Sequence, residues 1–268
     1  IGVNTLTNLG LVDVIVNGSD RNINRIVRDS ISINNPIPAL GGKESPSVEE
    51  IRNLVRYNFS AQDRCVTIKD YQSRVPLMPG KFGVPFRTGV WEERNKINVS
   101  ILALDSDSKL TTQSTSALKQ NIGEYLADYR MINDYITIKN GRVINLGIEV
   151  DLFIEKSIPK GDVISNVITT IKEYLDINNW DMGDNIYLSQ LIENVNSVGG
   201  VLNVTDLRVF NKVNENGTYS LNEIAQPYVD ADTRQVDLLG KNTLFGVPNG
   251  MFEIKYPNKD IKVTISTS

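Results

Sequence analysis

The sequence predicts an α+β protein, built as small mixed α/β units in series and closed by a β-rich C-terminal segment. Three observations predict it. Apolar residues alternate with a period of two at 97–103 and at 144–154, and recur at helical spacing at 118–129 and 162–176. The order of strand, helix and strand is met twice. After residue 211 Gly, Pro and Asn become frequent, and the apolar runs shorten to β-like stretches such as MFEIKY and IKVTI.

Taken in order, residues 1–40 mix short β-branched runs (VDVIV at 12–16, ISI at 31–33) with Asn, Gly and Pro. They read as a β segment and a linker at 34–42, part of a longer polypeptide. The first α+β unit spans 41–145. Ser47 and Glu50 have capping-box spacing, with Val48, Ile51, Leu54 and Val55 on one helical stripe. Thr67 and Asp70 repeat that start signal, with Ile68, Tyr71 and Val75 on one face before Pro76 stops the helix. A strand with Ile97, Val99, Ile101 and Ala103 follows, then a helix with Leu118, Ile122, Tyr125, Leu126 and Tyr129, then a strand at 135–138.

The second unit spans 146–211. It is fed by the clearest strand in the chain, with Ile144, Leu146, Ile148, Val150, Leu152 and Ile154 on one face and Asn145, Glu149 and Asp151 on the other. Helices at 162–176 and 188–195 and a strand at 201–210 complete it. The fragments GEYLADY (123–129) and KEYLDIN (172–178) are alike, which raises an internal duplication. Residues 212–268, with a hairpin-like NENG at 214–217, form a β-rich appendage.

Composition narrows the function. The 268 residues hold 40% hydrophobic and 22% charged residues, ordinary for a globular protein, and no apolar run reaches the roughly 20 residues that span a bilayer. With a net charge of −4 and no long Lys/Arg block, nucleic acid is a poor partner. Cys65 is the single cysteine, so no internal disulfide forms, and its apolar surroundings make it core filler. There is no histidine, which removes Ser-His-Asp, Cys-His and zinc-histidine chemistry.

What chemistry remains is sparse. Gly41-Gly42 and Gly199-Gly200 lack the pattern of a phosphate loop and read as turns. The acidic pairs Glu49-Glu50 and Glu92-Glu93, and Asp105 with Asp107, have the residue types for acid/base work or calcium. Adjacent carboxylates on a strand or helix diverge, however, and Asp105-Ser-Asp107 lacks the Gly and Glu of a calcium loop. Phe82, Phe86 and Trp91, interleaved with Lys81, Arg87 and Arg94, could stack nucleotides, but in an acidic protein they read as turn and interface aromatics. No cofactor or metal site is expected.

One stretch carries more. ISINNPIPALGGKESPSVEEIRNLVRYNFSAQDRCVTIKDYQSRV resembles the central signature of baseplate J-like proteins, a family of contractile-tail baseplate wedge components. The features are a Pro-containing linker (Pro36), Gly41 and Gly42, an acidic helix with Glu49, Glu50 and Arg52, and then Arg64, Val66, Thr67, Asp70 and Tyr71 in an R-x-V-T-x-x-D-Y order. Residue chemistry gives these architectural roles: Gly-Gly frees the linker, Thr67 caps a helix, and Tyr71 buries its ring behind a polar tip.

The resemblance, with the order of elements through about residue 211, covers two-thirds of the chain. It implies a structural subunit without a catalytic centre, which dimerises and joins neighbouring wedges into a ring around the tail hub. That ring rearranges as the sheath contracts. The partners so implied are the chain itself and other wedge and hub-proximal tail proteins, with no nucleic acid, membrane or small-molecule substrate. The place implied is the virion's tail baseplate, after assembly in the host bacterial cytoplasm. Self-complementary surfaces are expected on the helices carrying Leu118 to Ile132, with Leu118, Ile122, Tyr125 and Tyr129, and Ile164 to Leu175, with Ile164, Ile168 and Ile171, and on their flanking strands. The rival reading is a carboxylate-dependent cell-wall glycoside hydrolase of the tail. A carbohydrate-binding module using Trp91 and Trp180 ranks last.

Overall fold

The computed structural model describes residues 64–266 apart from 95, 225–228, 231 and 239–241, together with residues 22, 23, 26, 48 and 52. Val48 and Arg52 are helical and exposed. The other expectations before residue 64, including Gly41, Gly42 and Glu50, lie outside the described residues. The fold is mixed α+β with several small sheets.

The first unit runs α1 (Ile68–Arg74), β1 (Arg87–Glu93), β2 (Lys96–Leu104), β3 (Leu110–Thr111), α2 (Ser116–Ala127) and β4 (Tyr135–Asn140). Strand β2 is central: β1 pairs antiparallel along one side, and β4 parallel and then β3 antiparallel along the other. Helix α1 packs over β1 and α2 over β4. Val99 and Ile101 meet Tyr71, Val75, Leu118, Ile122 and Leu126 in a core that also contains Cys65. The alternation in β2 suggested one buried face, yet Asn98 and Ser100 are also buried. The reason is that the second unit covers the other face, where Leu102 joins Phe86, Leu110, Val143, Met182 and Met251.

The chain crosses between units without a loop. Gly141 donates its N–H to Ile101 O at 2.8 Å, the last rung of the first sheet, and the next residue, Arg142, already pairs with Gly250 in the second. A Cβ on Gly141 would stand 2.6 Å from Leu102 Cγ and 2.8 Å from Met182 Cε, so this close crossing requires glycine.

The second unit runs β5 (Arg142–Ile154), α3 (Lys160–Tyr174), β6 (Ile186–Tyr187), α4 (Leu188–Asn196) and β7 (Val201–Lys212). It is followed by β8 (Thr243–Leu244), β9 (Gly250–Glu253), α5 (Pro257–Asp260) and β10 (Ile261–Ser266). The alternating β5 residues from Ile144 to Ile154 are each at most 1% exposed, against Val163, Val167 and Ile171 of α3 and Leu188, Leu191 and Val195 of α4. At about 1.5–3 kcal/mol per buried aliphatic side chain, this layer is a main source of the fold's stability.

The segment 212–268 is not a separate appendage. Strands β9 and β10 both pair parallel to β5, on the side opposite β7, and Phe252 and Ile261 belong to the same core. The expected boundary at 145/146 falls inside β5. The turn at 214–217 is a 3-10 turn entered through Asn214 at φ 47°, and no strand pairs back along β7 directly after it among the described residues. Two register shifts kink the β5–β7 pairing, and Asn196 Oδ1 accepts the Val204 N–H, which together blunt this edge of the sheet.

Both units follow one plan: a central strand, an antiparallel neighbour, a parallel neighbour, and a helix over each flank. Ile97, Val99, Ile101, Leu118, Ile122, Tyr125 and Leu126 correspond to Leu146, Ile148, Val150, Val167, Ile171, Tyr174 and Leu175 at one constant spacing. The wiring differs, because α1–β1 precedes its central strand whereas α4–β7 follows α3.

Candidate functional site

The part of the sequence signature that is described is built around the start of α1. Thr67 Oγ1 accepts the Asp70 N–H at 3.3 Å, and Asp70 Oδ2 accepts the N–H groups of Thr67 at 2.7 Å and Val66 at 3.0 Å, a reciprocal capping box. Tyr71, 1% exposed, donates its hydroxyl to Asp134 Oδ2 at 2.5 Å. Arg74, buried at the end of α1, lies over the Tyr129 ring at 3.7 Å. Cys65 donates its N–H to Tyr129 O at 2.8 Å and bridges to Arg130 in parallel fashion. The signature thus fastens α1 to the end of α2 and to the turn before β4.

The electrostatics of this joint keep it inert. Burial, with Asp70 and Asp134 nearby, pushes the Cys65 thiol up to about 11 despite Arg74, so the thiolate nucleophile is absent near neutrality. Burial first, then the bond to Asp134, raises the Tyr71 phenol. Burial also pushes Tyr125 up to about 12, with help from Tyr129, whose ring centroid lies 5.0 Å away. Arg64 and Val66 are exposed beside the joint.

The seven residues expected at an interface divide. Leu118, Ile122 and Ile171 are enclosed in the chain's own cores, because they are the residues by which α2 and α3 grip their sheets. A contact with another molecule through those three would require opening the core. Tyr125, Tyr129, Ile164 and Ile168 are half-buried and reach the surface. The most exposed apolar side chains nearby are Ile132 at 94%, Tyr135 at 65%, Val66 at 62% and Met131 at 41%, and Ile132 and Tyr135 lie within the helix range and flanking strand expected to carry the surface. The helix expected to run to Ile132 ends at Ala127, which leaves Met131 and Ile132 in the turn before β4.

The other candidate chemistry disperses. Glu92 and Glu93 are exposed at the end of β1. Asp105 Oδ1 accepts the N–H groups of Asp107 and Lys109, each at 2.9 Å, and so shapes the turn into β3. Phe86 and Arg87 are buried while Phe82 is 42% exposed, so they form no continuous stacking strip. Among the described residues no group of three or more acidic or Cys side chains could hold a metal ion, and no helix is long and apolar enough to cross a membrane.

No family model matches the chain, and no curated protein matches it. Among solved structures it is similar to a chain of the anti-feeding prophage baseplate, with 12% identity and a TM-score of 0.43 over 66% of this chain. The match spans 40% of that baseplate chain.

Proposed function

We propose that the chain is a structural subunit of a contractile-tail baseplate, a baseplate J-like wedge component that acts through protein contacts and not as an enzyme. The observation that carries this reading is the use made of the signature residues. Thr67, Asp70 and Tyr71 are consumed in a capping box and a buried phenol–carboxylate bond that join elements, and Tyr71 and Cys65 are each 1% exposed, beyond the reach of a substrate. In this reading the chain dimerises and links neighbouring wedges into a ring around the hub, and the ring rearranges on sheath contraction. The contact faces are drawn from the outward residues Tyr125, Tyr129, Met131, Ile132 and Tyr135 of the first unit and Ile164 and Ile168 of the second.

The test is co-expression of the complete polypeptide with the neighbouring tail proteins of its own gene cluster, followed by size separation. A stoichiometric complex that is lost on Ile132→Asp supports the reading. A chain that separates alone from every tail protein and cleaves purified cell wall contradicts it.

A further inference from the structure

Glu253, at the end of β9, is 4% exposed and sits where the two units meet. Its Oε1 accepts the Leu110 N–H of β3 at 2.7 Å, and its Oε2 accepts Asn145 Nδ2 of β5 at 2.8 Å. The side chain therefore ties the tip of the first sheet to the central strand of the second. Asn145 is itself fixed, since its Oδ1 accepts the Ser220 N–H at 2.8 Å.

The cations around Glu253 point elsewhere. Lys255 Nζ donates to Thr218 O at 2.7 Å, Lys109 Nζ lies over the Tyr256 ring at 3.9 Å, and the Arg142 guanidinium donates to Glu223 O at 3.3 Å. The acidic group acting on Glu253 is Asp105, itself occupied with the turn amides. Among the described residues the buried carboxyl is met by two neutral N–H donors and no cation. Two such bonds replace only part of the hydration a carboxylate loses on burial.

We propose that Glu253 makes the docking of the 105–111 turn and β3 onto the second sheet proton-linked, the neutral side chain favouring the docked arrangement and the carboxylate favouring release. When the turn lifts, Glu253 regains water and ionises without penalty. When it docks, burial and the nearby Asp105 hold the carboxyl above its ordinary range against the two hydrogen bonds and Lys255. By linkage, whatever raises proton affinity on docking is itself docked more firmly by a proton. The device is independent of the assembly reading.

Amide hydrogen exchange of residues 105–111, corrected for intrinsic rates and followed from about pH 5 to about pH 8.5, tests it. The expected result is a loss of protection as pH rises, confined to this turn and β3. In Glu253→Gln the pH dependence disappears. In Asp105→Asn, which keeps the turn's acceptor, the midpoint moves to lower pH. Protection that ignores pH in the unaltered protein overturns the proposal. So does a pH dependence that persists in Glu253→Gln. If that variant does not fold, an unchanged midpoint in Asp105→Asn overturns it instead.

Discussion

Thr67 and Asp70 close the first turn of α1 with three hydrogen bonds. Thr67→Ala removes one neutral acceptor and Asp70→Ala the acceptor of two part-buried N–H groups, and each is expected to cost about 1 kcal/mol, read from urea denaturation. Tyrosine ionisation gives a second check. Tyr71 and Tyr219 are each raised from an ordinary value of 10.0, by burial first and then by bonds to Asp134 and Asp260. A raised folded value means the stabilisation is complete below pH 10 and is lost as pH rises through the folded values. Urea midpoints should therefore hold up to about pH 10 and fall above it, and Tyr71→Phe should flatten that fall. At this scale the sequence was partly legible: the Thr67–Asp70 spacing announced the cap, but the partner of Tyr71 lies at Asp134, 63 positions away, where no local pattern points.

The elements succeed or fail by how closely backbones approach. Gly89 in β1 faces Pro248 O, which a Cβ would meet at 2.0 Å, whereas Gly161 in the first turn of α3 has open space around it. Gly89→Ala is expected to lose about 3 kcal/mol and Gly161→Ala to gain about 0.5 kcal/mol, a contrast that thermal unfolding of the two variants measures directly. The inner face of β5 was legible because six apolar residues alternate without interruption. The double burial of β2 was not, since Asn98 and Ser100 are polar and are buried only by a second sheet that the local pattern cannot see. The pairing of β9 and β10 with β5 escaped for a related reason, because short β-like runs show that strands form but not which strand they join. The likeness of GEYLADY and KEYLDIN did mark something real, the matched ends of α2 and α3 over matched central strands.

Across the molecule, the two units are held by a continuous chain through Gly141, by the cluster around Met182, and by Arg87. The Arg87 guanidinium, 7% exposed, donates to Asn178 O and Trp180 O at 2.9 Å and meets Asp181 at 3.0 Å. Arg87→Ala strands these carbonyls and is expected to cost about 3 kcal/mol, but Asp181→Asn, at a carboxylate 64% exposed, should cost about 0.5 kcal/mol or less, both by urea denaturation. The proposed role requires that the outward faces of the two units bind copies of the chain and its neighbours. Light scattering of the complete polypeptide over a concentration series, alone and with candidate wedge partners, decides this: dimers or larger rings are expected, and a strict monomer that ignores every partner would overturn the proposal.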